Sequence, residues 1–283
     1  MSLVLIWIIH IVLFCPLTSV NAALGNSSTK IINGFSCDVK EVPYQVSLRY
    51  VPRERRRWGS GHFCGGVVIS NRAIITAAHC LREVHTEVVA VVGSTLLDDK
   101  SATTKVLKIR SWRIHQRYIR PHNDIALIFT AENIKFISGA IEILPLNTGV
   151  LAEGTSCLIS GWGRYNHHIP HNTNDLRALW IQIVSDEVCS RLYGIPKVIC
   201  AGDASTTGPS FGDSGGPLRC ENQLSGIVSV GKETGGPTAY SSIRGFQSWI
   251  RSELDAFSGA LPLRPSCIQR QVVLLIVFYM VTI

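Results

Sequence analysis

Short apolar stretches separated by turn residues recur along the chain. They are Gln45–Tyr50, Gly66–Ile69, Val88–Val92, Val106–Ile109, Ile125–Phe129, Ser156–Ser160 and Gly226–Val230. Lengths of four to six residues and richness in Val and Ile suit strands, and a series of them without intervening helical patterns predicts an all-β sandwich or barrel. One stretch breaks the pattern. Phe246, Trp249, Ile250 and Leu254 fall at helical spacing and predict a short amphipathic helix near the end of the folded unit. No segment repeats at a fixed period.

The two ends differ from this middle. Leu3 to Leu17 is an apolar run interrupted by His10 and followed by Val20-Asn21-Ala22, the layout of a secretory signal spanning residues 1–22. Residues 23–30 then form a propeptide, and 31–257 a single domain of 227 residues with no linker-like composition. In the tail, 258–283, Ser258-Gly259-Ala260 precede an 11-residue spacer and a 12-residue apolar segment, Val272 to Ile283. Small residues, a spacer of about 8–12 and an apolar tail of about 10–20 match a lipid-anchor signal. A retained apolar tail is the other reading. The protein is expected to be extracellular, either free or lipid-anchored at the cell surface.

Composition then sharpens the picture. The 283 residues are 46% hydrophobic and 17% charged, which excludes collagen-like, coiled-coil and disordered classes. A net charge of +7 and a mean hydropathy of +0.22 point at first to nucleic acid or a membrane. Lys30, Arg264 and Arg270 lie outside the domain and no acid does, so the domain holds 24 basic and 20 acidic residues, +4. Arg53 to Arg57 account for +3 of that. No nucleic-acid partner is expected of such a chain. Nine cysteines fit an oxidising compartment, and Cys15 leaves with the signal.

Three segments carry candidate chemistry. Gly212-Asp213-Ser214-Gly215-Gly216-Pro217 sets a serine among glycines, where the backbone can turn sharply and leave the hydroxyl exposed. A serine hydroxyl needs a base within hydrogen-bond reach and a third group to orient that base. Thr76-Ala77-Ala78-His79-Cys80 and Asn123-Asp124-Ile125-Ala126-Leu127 offer the two.

With these segments in the order His, Asp, Ser, the chain resembles the chymotrypsin-like (trypsin-fold) serine proteases over Ile31 to about Phe257. Supporting motifs are Ile31-Ile32-Asn33-Gly34 after Lys30, Phe63-Cys64-Gly65-Gly66, Ser160-Gly161-Trp162-Gly163 and Gly226-Ile227-Val228-Ser229. The resemblance implies two six-stranded antiparallel β-barrels with the site between them. It implies a zymogen endopeptidase working through an acyl-enzyme on protein or peptide substrates, with His79 as general base, Asp124 holding its tautomer and Ser214 as nucleophile. The N–H groups of Gly212 and Ser214 would form the oxyanion hole. A protease that cuts after Lys30 would free the Ile31 amine to pair with Asp213. No cofactor and no metal ion enters this chemistry, and a monomer is expected. Ser94 stands after Gly93 where calcium-binding relatives carry an acid. Asn26-Ser27-Ser28 is a glycosylation acceptor pattern in the propeptide.

Gly208 stands six residues before Ser214, where trypsins carry the Asp that recognises Lys or Arg. With no charge at the pocket base, a buried cation would lack a partner. Ser229 and Gly231 resemble the strand that pairs with substrate, and Thr238 would narrow one wall. An apolar residue before the scissile bond, small to medium rather than aromatic, is therefore expected.

The resemblance also implies disulfides Cys64–Cys80, Cys157–Cys220 and Cys189–Cys200. It leaves Cys37 and Cys267, which could pair if the tail is retained. The bridge that usually braces the pocket is missing, since Ser210 stands at one of its positions. His167, His168 and His171 read as a solvated loop. Arg53, Arg55, Arg56 and Arg57 read either as a solvated charge run or as an exosite for serpin-type inhibitors or polyanions. A binding protein that keeps the protease fold and acts through that loop is the competing class.

Overall fold

A two-residue strand, β1 (Phe35–Ser36), comes first among the described elements. The computed structural model describes residues 34–164, 172–203, 207–231 and 236–259. The expected signal and propeptide with Asn26 and Lys30, the expected activation residue Ile31, the histidines His167, His168 and His171, and the tail with Cys267 lie outside the described residues.

β2 (Gln45–Tyr50), β3 (His62–Val68), β4 (Ala73–Thr76), β5 (Val88–Val92), β6 (Lys105–Ile114) and β7 (Ala126–Thr130) close into an antiparallel barrel in the order β2-β3-β4-β7-β6-β5. Its interior is packed with Val46, Leu48, Val68, Ile74, Ala90, Val92 and Ile128, which the register places on one face, all buried. β2 is buried on its other face as well. Gln45, Ser47 and Arg49 alternate with the apolar residues and are each 1% exposed or less, because the second half of the molecule and neighbouring loops cover them.

That second half comprises β8 (Ser156–Gly161), β9 (Arg177–Gln182), β10 (Val198–Ala201), β11 (Pro217–Cys220), β12 (Gln223–Val230) and β13 (Thr238–Ser242). They are ordered β9-β8-β11-β12-β13-β10, with β1 added beside β9. The ring is completed where Gly202 N–H donates to the Gln182 carbonyl at 2.9 Å and Val184 N–H to the Cys200 carbonyl at 3.0 Å. The expected pair of six-stranded barrels is thus what the chain forms. β11 and β12 are joined at Glu221 and Asn222, whose φ of 51° and 58° are those of the tight turn that matches strand twist.

Four α-helices accompany the barrels among the described residues. α1 (Val51–Arg56) carries the arginine run, which the sequence pattern placed in a loop; Pro52 in the first turn presets its φ. α2 (His79–Arg82) is a single turn. α3 (Asp186–Tyr193) is capped by the Ser185 side chain and ends at Gly194 with φ 62°. α4 (Ile243–Ser258) contains the predicted amphipathic stretch, with Ser242 capping its start and Gly259 its end. It follows β13 of the second barrel and reaches the first: Phe246 and Ile250 join a core cluster drawn from both barrels, and Phe257 stacks on Phe129 with centroids 4.0 Å apart.

Truncating a side chain wedged between a helix and a barrel leaves a cavity that neither can collapse into. Phe246→Ala should lower stability by about 3–5 kcal/mol, read from urea unfolding of the disulfide-intact chain.

Candidate active site

Beside the serine loop the two barrels meet backbone to backbone. Gly65 N–H, in β3, donates to the Ser214 carbonyl at 2.8 Å, and the Gly65 carbonyl accepts from Thr76 Oγ1 at 2.8 Å. A Cβ on Gly65 would lie 3.0 Å from Gly216 Cα, and one on Gly215, whose φ is 78°, would lie 2.1 Å from Thr76 Oγ1. Glycine is required on both sides of this seam. The sulfur of Cys80, next in sequence to His79, lies 3.7 Å from the Ser214 carbonyl oxygen. The Cys64–Cys80 bridge fixes that approach. The seam therefore sets the serine loop of the second barrel against the His79 segment of the first.

His79 begins α2, and Asp124 precedes β7. Asp124 is 2% exposed. Its Oδ1 accepts from the His79 backbone N–H at 2.8 Å, and its Oδ2 lies 2.7 Å from His79 Nδ1. Oδ2 also accepts from Ser229 Oγ at 2.7 Å, and the Asp124 carbonyl accepts from Ser241 Oγ at 2.7 Å. An ionised carboxylate can only accept, so Nδ1 carries the ring proton and a neutral imidazole is left with Nε2 as its basic atom. Ser229 reaches Asp124 because β12 bulges between Val228 and Val230. Such a bulge re-aims a side chain. The sequence reading valued Ser229 for its place on the substrate-pairing strand, and its hydroxyl has this second use.

The turn before the serine is held by Asp213. Its Oδ1 accepts from Gly163 N–H at 2.8 Å and its Oδ2 from Ser210 N–H at 2.9 Å. Burial pushes its carboxyl up to about 6, and the two backbone bonds oppose that rise only in part. A Cβ on Gly163 would fall 2.3 Å from Oδ2, and one on Gly161 would fall 2.1 Å from Oδ1. Gly212 has φ 99°, and a Cβ there would meet Asn172 Oδ1 at 2.8 Å, so both backbone and neighbours demand glycine. Its carbonyl is met at 3.1 Å by Nε2 of His62, a histidine for which the sequence offered no motif.

At the expected pocket base, Gly208 has φ 144°. A Cβ on Gly208 would lie 3.8 Å from Thr238 Oγ1, and one on Gly231 would lie 3.2 Å from the same atom. The three sequence-selected positions are thus brought together around the Thr238 hydroxyl. Ser210 Oγ and the Tyr240 hydroxyl are buried near this turn with no hydrogen-bond partner among the described residues. All three implied disulfides are formed, and Cys37, buried, is unpaired among the described residues, where burial pushes its thiol up to about 12. Cys64, His79 and Cys80 cluster within 4.8 Å, but both sulfurs are spent in the disulfide and cannot ligate a metal. No helix among the described residues is long and apolar enough to cross a membrane.

The family model described as Trypsin matches residues 31–250. Human kallikrein-14 is 33% identical over 234 residues, covering 80% of this chain and 84% of that protein. Trypsin 5G1 of Aedes aegypti is 33% identical, covering 80% and 85%, and duodenase-1 of Bos taurus is 32% identical, covering 80% and 89%.

Two predictions follow from Asp213. Gly163→Ala should cost about 1–3 kcal/mol in urea unfolding, because the added methyl has no room beside the carboxylate. The second concerns pH. The folded-state value near 6 lies above the ordinary 3.8, so the folded chain holds this proton more tightly. The associated stability is present below about pH 4 and is lost as pH rises through 6, by up to about 3 kcal/mol. Stability of the uncleaved chain minus that of Asp213→Asn should therefore fall between pH 4 and 7, as urea midpoints at stepped pH would record.

Proposed function

The chain belongs to the trypsin family of serine proteases, and from that membership we propose a secreted zymogen that is activated by cleavage after Lys30 and cuts after apolar residues. The observation that carries the catalytic part is the Asp124 carboxylate bonded at once to His79 N–H, His79 Nδ1 and Ser229 Oγ. In this reading, His79 Nε2 takes the Ser214 proton as Oγ attacks the scissile carbonyl, and the Gly212 and Ser214 N–H groups bind the oxyanion. The imidazolium then protonates the leaving amine, which departs. Water, deprotonated by the same Nε2, attacks the acyl-enzyme carbonyl and releases the acid product and Ser214.

Activation has a physical motive in Asp213. A buried carboxylate supported by two backbone N–H groups is short of compensating charge, and a new Ile31 ammonium would supply it. The cleaved form should then be the more stable at pH 7, with its advantage shrinking as acid protonates Asp213.

For specificity, the support is Gly208 and Gly231 around Thr238, which bring no carboxylate to the pocket base and leave room for a small to medium apolar side chain. α1 supports a partner surface. Arg53, Arg55, Arg56 and Arg57 are all exposed, and Arg55 pairs with Glu87 at 3.3 Å between exposed side chains. Serpin-type inhibitors or polyanions would meet that cationic turn.

Ser214→Ala should abolish labelling by a serine-directed phosphonate, and labelling that survives would overturn the mechanism. A peptide library digested by the enzyme cut after Lys30 should be cleaved after Ala, Val or Leu; dominance of Arg or Lys would sink the specificity reading.

A further inference from the structure

Arg49 is a fully buried arginine in a strand of the first barrel, and the proposed chemistry does not use it. Its Nη1 donates to the Leu97 carbonyl at 2.9 Å and to Glu54 Oε2 at 3.3 Å, and its guanidinium lies over the Trp58 ring at 5.0 Å. Glu54 is itself pinned to α1 and the turn after it, accepting from Gly61 N–H at 2.6 Å and from Gly59 N–H at 3.0 Å. The remaining contact leads elsewhere: Arg49 Nε donates to Ser47 Oγ at 2.9 Å. Ser47 Oγ lies 2.8 Å from His62 Nδ1, and His62 Nε2 lies 3.1 Å from the Gly212 carbonyl oxygen.

The protons along this row have one consistent direction. A carbonyl only accepts, so His62 must carry a proton on Nε2. Burial, aided by the Arg49 charge, pushes His62 down to about 3, so the ring is neutral and Nδ1 is bare. Ser47 must then donate to Nδ1, and its oxygen is free to accept from Arg49. A guanidinium is a permanent donor, so it fixes the sense of the whole row from its far end. The row stops on the Gly212 carbonyl, one peptide away from the Gly212 N–H.

We propose that Arg49 is a positioning residue for the oxyanion loop, holding the Gly212 carbonyl in place through Ser47 and His62. This rests on the reading of Gly212 and Ser214 N–H groups as the oxyanion hole. The fork matters as well as the charge, because Nε and Nη1 serve Ser47, Leu97 and Glu54 together. An ammonium has no such geometry.

Arg49→Lys keeps a cation beside Glu54 and loses the fork, and Ser47→Ala breaks the row without touching a charge. Both are made in the full-length chain cut after Lys30, with active sites counted by phosphonate titration. Per titrated site, kcat should fall about tenfold, since small displacements of catalytic groups are costly, while KM stays within about twofold. Affinity for a peptide boronate, whose oxygen fills the oxyanion hole, should fall by a similar factor. Affinity for the corresponding peptide amide, which places no oxyanion there, should hold. A purely structural role predicts fewer titratable sites with wild-type kcat and boronate affinity at each, and that result in both variants would overturn the proposal. Ser47→Thr, which restores the hydroxyl, should recover most of the Ser47→Ala loss. Ser214→Ala separates the two levels. Turnover surviving in Ser214→Ala removes the underlying mechanism, whereas its loss, with unaltered kcat in Arg49→Lys and Ser47→Ala, removes only the role of Arg49.

Discussion

Everything in the site depends on two backbones approaching without side chains between them. Gly65 on one barrel and Gly215-Gly216 on the other meet at distances where a single Cβ would collide with Gly216 or Thr76. Hydrophobic burial holds each barrel together but has no preference for how the barrels sit against each other to a fraction of an ångström. The Gly65 to Ser214 hydrogen bond does, because it is directional and buried, and leaving it unmade would be costly. In the proposed mechanism the base and its acid come from one barrel and the nucleophile from the other, so this contact sets their alignment.

The two buried aspartates illustrate how environment assigns roles to the same side chain. The Asp124 carboxylate accepts three hydrogen bonds, two of them from His79, and is matched to a ring that can become positive. Asp213 accepts two from backbone N–H groups and is raised toward neutrality by burial. One is completed by the fold, and the other favours any process that brings a cation to it. Thirty-six residues after Asp124, the chain enters Ser160-Gly161-Trp162-Gly163, whose glycines leave room for that second carboxylate.

The strands and the triad segments were legible because their signals are local. Apolar runs rich in Val, Ile and Leu sit where β5 and β7 form, and glycines cluster where the backbone must turn or approach closely. α1 was missed because four arginines within five residues look like a solvated run, whereas Glu54 in their midst is held by Arg49 and two turn amides. The Arg49, Ser47 and His62 row was not legible either. In β2 the alternation of Gln45, Ser47 and Arg49 with Val46 and Leu48 reads as a half-solvated strand, and nothing within those six residues announces that other elements cover the polar face. Ser229 was found, but the bulge that turns its hydroxyl onto Asp124 is a property of the pairing with β13, not of the strand alone.

β1 and α4 have a joint consequence. The first segment of the chain adds a strand to the second barrel, at Phe35 opposite Ala178, while the last segment stacks Phe257 on Phe129 of the first barrel. Each half thus reaches across to clasp the other. A gene cut between residues 145 and 156 would yield two pieces that each lack an arm: one without the helix over its core, the other with β9 deprived of its neighbour and open to pairing with other chains. The barrels look like two domains in outline, yet each is completed by an arm from the other half of the chain.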